Sequence, residues 1–270
     1  MCHDNNQESK GGKVVSAITK PVANSVENIF FPDISKINDE DIAWSGAHAN
    51  FLSSLSPEEI QDLLSRSRSL ELKPRDHLFQ AGDHSNDVYI VAEGCIRLFQ
   101  VSPTGKETIL WFNFPGEFFG MAEIWSGSRR QVYAVANEVT RVYSIHRQDY
   151  IQFLGTHPEA AMKAIGILSA RVRALGNTLG GLASDNVETR IARLLTRFAA
   201  ISYGFCCSAS TNDGELCVNV RLRHQDIANL IGASRQTVTT TLLHLRKLGV
   251  VRMVSHHIHI VQADHLRCLL

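Results

Sequence analysis

Polar side chains with base-reading chemistry open one helical segment near the C-terminus. They are Arg235, Gln236, Thr239 and Thr240, and they follow a Gly232-Ala233 turn and Ser234, a residue type that caps helices. Arginine pairs with guanine O6 and N7, glutamine with adenine N6 and N7, and threonine with a thymine methyl group. Ser234 and the helix N-terminus suit a phosphate. The pattern predicts a surface that reads DNA bases in the major groove; an ordinary solvated helix face is the alternative.

The sequence around these polar residues predicts the helices and strands that position them. The other face of the helix carries an apolar stripe of Val238, Leu242, Leu245 and Leu248, which predicts burial. A shorter helix at about 223–231 precedes the turn and is expected to bury Ile227, Leu230 and Ile231. At its start, His224 and Gln225 are further predicted DNA contacts. The segment VVRMVSHHIHIV then predicts a β-hairpin, and this order is typical of a winged helix-turn-helix.

The middle of the chain predicts a β-rich domain. Short β-prone runs alternate with glycine-containing turns from about residue 69 to 145, which favours a barrel or roll. Before them, SPEEIQDLLSRS predicts a helix with Ser56 as N-cap, Pro57 at the first position and Glu59 at the third. Residues 1–45 are polar and without periodicity, and we interpret them as a flexible or loosely docked arm.

A long helical segment joins the two regions. Apolar residues recur at three- and four-residue spacing, close to a heptad seam: Met162, Ile165, Leu168, Val172, Leu175, Leu179 and Leu182. The narrow, long seam predicts a parallel helix pair between two subunits; a lone amphipathic helix on a core is the alternative. A second helix is expected after Asp185 as N-cap, and ELCVNV is expected to form a strand.

Composition sets the broad class. The chain has 270 residues with 27 Lys and Arg and 27 Asp and Glu, yet residues 187–270 hold ten basic and five acidic residues. This asymmetry favours an anion-binding C-terminal segment. No apolar run is long enough to span a membrane and the start lacks a secretory segment, so we expect a cytoplasmic protein. The six Cys form no regular framework, which agrees with a reducing compartment. No catalytic motif is present, so no enzyme is predicted.

From about Leu52 onward the chain resembles the cyclic-AMP receptor protein and fumarate-nitrate-reduction regulator (Crp/Fnr) superfamily. The segments that carry the resemblance are LFQAGDHSNDVYIVAEGCIRLFQVSPTGKETILWFNFPGEFFG, DNVETRIARLLTRFA and LRHQDIANLIGASRQTVTTTLLHLRKLGVV. The resemblance implies an α+β fold with an N-terminal β-roll, a double-stranded β-helix like that of cyclic-nucleotide-binding domains. A long dimerisation helix and a C-terminal winged helix follow. The implied boundaries are an arm at 1–45, a roll at 46–155, the dimerisation helix at 156–184 and the DNA-binding domain at 185–270.

The resemblance also implies partners and site residues. A bacterial transcription regulator of this type binds palindromic promoter DNA as a homodimer and acts through RNA polymerase. Arg235 matches the arginine that reads guanine in relatives, whereas Gln236 replaces a glutamate and Thr240 stands where relatives often have arginine. The expected half-site therefore differs from TGTGA but keeps a guanine opposite Arg235.

The cassette that holds a cyclic phosphate in relatives is altered here. It reads GEFFGMAEIWSGSRRQVYAVA: Gly120 is kept, Met121 replaces a glutamate, and Gln131 replaces a serine. Arg130 occupies the position of the phosphate-binding arginine of relatives. If the gap in the loop is placed differently, Arg129 occupies it. On the long helix, Leu175 and Gly176 replace the Thr-Ser pair that meets adenine. Because a buried ligand hydroxyl without a partner is costly, we expect a small-molecule effector other than cyclic AMP. The two arginines favour an anion; solvated loop residues are the alternative.

Other sensing chemistries stay open at this point, including dependence on cyclic AMP itself. Haem needs an axial ligand, for which the candidates by residue type are Cys95, His77, His84, His146 and His157. Thiol sensing would use Cys206, Cys207 or Cys217. The histidines His256, His257 and His259 lie in the predicted wing, where they are candidates for metal binding, but a phosphate-contacting or solvated wing is favoured. Iron–sulfur sensing needs an N-terminal cysteine cluster, and only Cys2 is there. No metal site is predicted.

Overall fold

The computed structural model describes residues 20–21, 50–200, 215–218, 220–254 and 256–270. The predicted arm at 1–45 lies outside these residues apart from β1, Lys20–Pro21, which pairs antiparallel with β2. Two short helices open the main body, α1 (Phe51–Ser54) and α2 (Pro57–Ser65). The predicted capping box at Ser56 is confirmed: the Ser56 hydroxyl accepts from the Glu59 N–H at 3.2 Å and the Glu59 carboxylate accepts from the Ser56 N–H at 2.8 Å.

Two antiparallel sheets face each other and form the predicted roll. One has the strand order β1-β2-β9-β4-β7 and the other β3-β8-β5-β6. The strands are β2 (Ser67–Leu72), β3 (His77–Phe79), β4 (Asp87–Glu93), β5 (Ile96–Val101), β6 (Glu107–Asn113), β7 (Phe118–Phe119), β8 (Tyr133–Ala136) and β9 (Thr140–His146). Side chains from both sheets, such as Phe79, Val91, Ile96 and Ala134, interdigitate in the core between them.

Helices cover the roll and lead out of it. After β9 come α3 (Arg147–Thr156), a helix that was not predicted from the sequence, and the long α4 (Pro158–Ser184). Ala160, Ala164 and Ile167 of α4 pack on the roll together with α1, α2 and α3. The next helix is α5 (Val187–Ala200). The expected N-cap at Asp185 is wrong: the Asn186 side chain accepts from the Thr189 N–H at 2.9 Å, while Asp185 ends α4 and pairs with Arg193.

The C-terminal region has the predicted order of two helices and a hairpin. It comprises β10 (Leu216–Cys217), α6 (His224–Ile231), α7 (Arg235–Lys247), β11 (Val251–Val254), β12 (His257–Ile260) and α8 (Ala263–Cys268). Within the described part of the expected strand ELCVNV, Leu216 and Cys217 form β10 and pair with β12, and the Val218 N–H donates to the Ile258 carbonyl at 2.9 Å. The predicted stripe of α7 is buried at Val238, Leu242 and Leu245, but Leu248 is 47% exposed because the helix ends there.

One hydrophobic core connects the winged helix to the roll. Phe112 and Phe114, at the end of β6 and just beyond it, meet the ring of Phe198 in α5 edge-on, with ring centroids 5.7 and 6.2 Å apart. The same cluster continues into Ile227 and Val238 of the two C-terminal helices. Because this core is continuous, α5 packs against both the roll and the two C-terminal helices.

Candidate functional site

The N-terminus of α7 is positioned by a tight turn and a cap. Gly232 has φ 64°, a left-handed conformation that side chains disfavour, and a Cβ there would approach Leu182 at 3.1 Å. The Ser234 hydroxyl accepts from the Thr237 N–H at 3.0 Å and so caps the helix as predicted. Val238 and Leu245 are fully buried on the opposite face, so α7 packs on the core of the domain with its first turn at the surface.

The side chains predicted to contact DNA lie together on this turn. Arg235, Gln236 and Thr240 are exposed, and Thr239 is half-buried. The Thr239 hydroxyl donates to the Arg235 carbonyl at 2.8 Å, and the Thr240 hydroxyl donates to the Gln236 carbonyl at 3.1 Å. The Thr240 hydroxyl donor is therefore used within the helix, which leaves its methyl group and oxygen lone pairs to a ligand. The Thr239 hydroxyl contacts both the Arg235 carbonyl and the His224 ring, which leaves mainly its methyl group.

The start of α6 adjoins the same surface. The His224 Nδ1 lies 2.8 Å from the Thr239 hydroxyl, which ties α6 to the exposed side of α7. The Gln225 amide donates to the Asn229 side chain at 2.8 Å. Two exposed arginines that were not predicted as DNA contacts, Arg221 and Arg223, directly precede α6. The signal was available in the sequence, since Arg-Leu-Arg stands immediately before the helix start.

The altered cassette of the roll is built around a buried arginine. Arg130 is 2% exposed, and its guanidinium donates to the carbonyl oxygens of Gly120 at 2.6 Å and of Asp87 at 2.5 Å. It also lies 3.4 Å from the Glu123 carboxylate and 4.4 Å above the Phe79 ring. The positive charge that we expected to face an anionic effector is thus neutralised by the protein itself. Glu123 was not singled out from the sequence, because it stands two positions beyond the expected glutamate.

The other cassette residues are dispersed. Met121 is buried, and the Tyr150 hydroxyl donates to its sulfur at 3.3 Å. Arg129 and Gln131 are exposed; Arg129 donates to the Gly82 carbonyl at 2.7 Å, and Gln131 donates to the Arg129 carbonyl at 3.1 Å. On α4, Leu175 is 41% exposed and a Cβ on Gly176 would meet no atom within 4 Å. The structure therefore does not gather the seven predicted effector residues into one closed pocket.

Burial determines the direction of the pKa shifts of Asp87 and Tyr89, the two residues beside the Arg130 guanidinium. Burial raises the pKa of the Asp87 carboxyl, against the pull of Arg68, His146 and Arg130. Burial and the nearby Asp87 charge raise the pKa of Tyr89 to about 12. The Tyr89 phenol is therefore neutral at physiological pH and presents an uncharged ring to Arg130.

A second arginine cluster, not predicted from the sequence, joins the roll to α4 and α5. Arg171 donates to the Phe118 carbonyl at 2.8 Å and lies 3.4 Å from the fully buried Glu117 carboxylate. Arg197 of α5 stacks 4.4 Å from the centre of the Trp111 ring. Burial lowers the pKa of Arg197 to about 10, which leaves it charged near neutral pH. These contacts couple the roll to both following helices.

The candidates for metal, haem and thiol chemistry are scattered. Burial raises the pKa of the Cys95 thiol well above its usual range, so a reactive thiolate is disfavoured there. His146 caps α3, and His157 stacks on Phe153 with ring centroids 4.6 Å apart. His77 is half-buried near the Tyr133 ring, and His84 is exposed. Within the described part of the chain, no group of three or more His, Cys, Asp or Glu side chains is arranged to hold a metal ion.

The remaining thiol and wing candidates are in the C-terminal domain. The Cys217 sulfur lies 3.7 Å from His259 Nε2, and both are buried. His257 Nδ1 lies 3.2 Å from the Val218 carbonyl oxygen, and His256 is exposed. Cys2, Cys206 and Cys207 lie outside the described residues. None of the helices in the described segments is long and apolar enough to cross a membrane.

Comparisons with known proteins agree with this architecture. A cyclic nucleotide-binding domain model matches residues 69–157, and a Crp-like helix-turn-helix model matches residues 189–269. The chain is 30% identical to the cyclic AMP receptor protein of Thermus thermophilus, over 74% of this chain and 86% of that protein. It is 26% identical to a CRP-like cAMP-activated global transcriptional regulator of Mycobacterium tuberculosis, over 82% of this chain and 96% of that protein.

Solved structures show the same fold. The c-di-GMP responsive global regulator CLP of Xanthomonas campestris superposes with a TM-score of 0.63 at 22% identity, over 77% of this chain and 100% of that chain. A sensor-type roll, a long helix and a helix-turn-helix define a transcription regulator that couples a cyclic-nucleotide-binding domain to a DNA-binding domain. The chain belongs to the Crp/Fnr superfamily.

Proposed function

We propose that this protein is a homodimeric, sequence-specific regulator of promoter DNA, controlled by an effector other than cyclic AMP. The observation that carries the DNA-binding part is the first turn of α7. Arg235 and Gln236 are exposed on a helix whose opposite face is buried at Val238 and Leu245. A rigidly packed helix that offers exposed arginine and glutamine at its N-terminus fits major-groove readout. Ser234, Thr239 and Thr240 then contact the phosphate and the thymine methyl groups, and His224 and Gln225 contact the backbone.

The proposal of a homodimer rests on the outer face of α4. Six of the seven predicted seam residues are exposed: Met162, Ile165, Val172, Leu175, Leu179 and Leu182. Leu168 is half-buried and packs on the roll core, so it lies at the border of the seam. The inner face is already occupied by the contacts of Ala164 and Ile167 with the roll. A second copy of α4 is the occupant that matches this spacing. Two-fold symmetry would present two recognition helices to the two halves of a palindromic site. The DNA-bound dimer would then contact RNA polymerase.

The proposal on the effector rests on Arg130 and Met121. A ligand phosphate would have to displace Glu123 and two carbonyl oxygens from a guanidinium that is 2% exposed. Met121 is buried and lacks an acceptor that matches a ribose hydroxyl. The relatives named above include proteins called cAMP-activated and c-di-GMP responsive. The signal therefore varies among relatives with this architecture, and a different small molecule is proposed here.

The experiment is a fluorescence-anisotropy titration of the full chain on DNA selected from a random duplex library. Specific binding is expected to exceed binding to scrambled duplex by at least about a thousandfold at one fixed salt concentration. Addition of cyclic AMP is expected to leave the affinity unchanged. Equal affinity for selected and scrambled DNA contradicts the regulator, whereas a many-fold tightening by cyclic AMP contradicts only the effector proposal.

A further inference from the structure

A small cavity lies where the last turns of α4 meet α5 and α6. Its volume is about 90 Å³. Ala174, Asn177 and Gly181 line it from α4, beside the apolar seam, and Leu194 lines it from α5. Ile231, the last residue of α6, closes one end. Three helices thus surround one space, which we call the hinge cavity.

The lining of the hinge cavity carries a net positive charge. Its charged residues are Asp185 and three arginines of α5, Arg190, Arg193 and Arg197. Three positive charges against one negative charge leave a net charge of +2. The Arg193 Nε donates to the Asp185 carboxylate at 2.8 Å, and Arg197 stacks on the Trp111 ring. A small, partly enclosed space with this charge favours an anion.

Arg190 is the cation of the hinge cavity that is left to pair with a ligand. One of its terminal nitrogens, Nη1, donates to the Ile231 carbonyl at 2.7 Å. Its Nε is buried and, among the described residues, finds no hydrogen-bond acceptor. Nor does any carboxylate of the described segments form an ion pair with its guanidinium. Because a buried N–H without an acceptor is unfavourable, an anion placed at Nε would be stabilised.

The size and the remaining lining of the hinge cavity define the class of anion. Ala174, Leu182, Leu194 and Ile231 supply apolar surface. Sites for drug-sized ligands have volumes of roughly 300–1,000 Å³, so the hinge cavity is too small for a nucleotide. A single carboxylate attached to one small ring or a short alkyl chain matches its volume, its apolar walls and its positive charge.

The hinge cavity also adjoins the turn that positions the recognition helix. Ile231, whose carbonyl is held by Arg190, immediately precedes Gly232 of that turn. Leu182 of α4 lies 3.1 Å from the position that a Cβ on Gly232 would take. A ligand in the cavity would contact both α4 and the end of α6. Its binding free energy would therefore depend on how the winged helix is placed against α4.

We propose that the hinge cavity binds a small amphipathic carboxylate through Arg190, and that this binding changes the affinity for operator DNA. The carboxylate accepts from the Arg190 Nε, and its apolar part packs against Leu194 and Ile231. The site is separate from the altered cassette of the roll, where Glu123 already neutralises Arg130. The effect on DNA rests on the effector-controlled DNA binding proposed above, whereas the binding of the carboxylate does not.

The test uses benzoate as the probe and benzamide as its uncharged analogue of the same shape. Both are titrated into the full chain by isothermal calorimetry. Arg190→Gln removes the cation, and Ala174→Phe fills the cavity while keeping Arg190. The matched control is Arg173→Gln, which removes an exposed arginine of α4 that does not line the cavity. Thermal melting without ligand checks that each variant is folded, and anisotropy measures operator affinity with and without saturating benzoate.

The wild type and Arg173→Gln are expected to bind one benzoate per chain, and benzamide at least about tenfold more weakly. Arg190→Gln and Ala174→Phe should each weaken benzoate binding by about tenfold or more. Saturating benzoate should shift the operator dissociation constant of the wild type by at least about fivefold and leave that of Ala174→Phe unchanged.

Three results of the calorimetry would overturn the site: no benzoate binding by the wild type, equal binding of benzamide, or undiminished binding in either cavity variant. An operator affinity that saturating benzoate does not shift would overturn the effect on DNA. Failure to bind the selected operator at all would instead overturn the DNA-binding function, because the calorimetry with benzoate is done without DNA.

Discussion

At the scale of single residues, the environment of Arg130 decides what its charge does. The Glu123 carboxylate is 3.4 Å away and both side chains are nearly inaccessible to water. Removing one partner of a buried pair leaves the other charge poorly compensated. Glu123→Gln is therefore expected to lower the free energy of unfolding by about 3 kcal/mol. Urea denaturation followed by circular dichroism measures this loss.

The matched control is an exposed pair in the same domain. Arg141 bonds the Glu93 carboxylate, which is largely exposed. Glu93→Gln should cost less than about 1 kcal/mol, because water screens exposed charges. If the two variants lose equal stability, the interpretation of Arg130 as a structurally committed charge is wrong.

Arg235 is the residue on which the proposed sequence readout depends most. Its side chain is exposed at the first position of α7. Arg235→Ala is expected to weaken specific DNA binding by about 1–3 kcal/mol and to relax the preference at one guanine of each half-site. Arg246→Ala, at the other end of the same helix, is the control and should leave base preference unchanged. Competition binding with single-base operator variants distinguishes the two results.

At the scale of elements, introducing glutamates into the apolar seam of α4 tests whether two copies of this helix pair. Val172 and Leu179 are 69% and 67% exposed, so replacing them in an isolated chain removes little buried surface. In a helix pair, however, the double variant Val172→Glu and Leu179→Glu buries like charges. We expect the dimer dissociation constant to rise at least about a hundredfold, as measured by sedimentation equilibrium.

Asn177→Glu provides the control for this element. Asn177 is exposed on the same helix but lies off the seam, beside the hinge cavity between α4 and α5, so the added charge is not buried between the two paired helices. Dimerisation should be unaffected. A double seam variant that sediments like the wild type would refute the helix pair.

The wing contains a buried histidine, His259, whose titration makes the stability of the domain depend on pH. Burial, followed by the Arg252 charge, lowers the pKa of His259, and Glu215 opposes this shift. The folded state thus favours neutral His259, so stability is fully present above the ordinary pKa of about 6.5 and falls at lower pH. Thermal unfolding at about pH 7.5 and about pH 5.5 should show this loss in the wild type. His259→Gln should reduce it; an unchanged pH dependence would show that other groups dominate.

At the scale of the whole molecule, the two domains are held together by an ion pair as well as by the shared core. Arg97 of β5 lies 3.2 Å from the Asp226 carboxylate of α6, and both side chains are largely buried. Asp226 also accepts from the Arg223 N–H at the start of α6. The pair therefore connects the roll to the helix beside the recognition surface.

Arg97→Gln is expected to loosen this connection without unfolding either domain. Because a charge-assisted hydrogen bond contributes about 1.5–3 kcal/mol, amide exchange in α6 should accelerate by roughly tenfold or more. Exchange in α2, far from the contact, should not change. Hydrogen-exchange mass spectrometry measures both segments, and Arg66→Gln, which removes a half-buried ion pair at the end of α2, serves as the control. Equal exchange in α6 of the two variants would contradict the coupling.

Much of this architecture was determined by local sequence pattern. The Gly232 turn, the Ser234 cap and the stripe at Val238 predicted the helix-turn-helix, and these features depend on neighbours a few residues away. The same applies to the Ser56 capping box, to the alternating strands of the roll and to the exposed seam of α4. The individual DNA, effector and dimer contacts remain predictions.

Only the tertiary structure decided which charges are neutralised and which are available. Arg130 lies at the sequence position where relatives bind a ligand phosphate. In the folded chain, however, its guanidinium contacts the Glu123 carboxylate and the Asp87 carbonyl oxygen. Asn186 rather than Asp185 caps α5, because Asp185 is drawn to Arg193. Arg97 and Asp226 are remote in sequence, and the packing of the winged helix on the roll places their charged groups 3.2 Å apart. Periodicity specifies elements, but the pairing of charges depends on distances that exist only after those elements have packed.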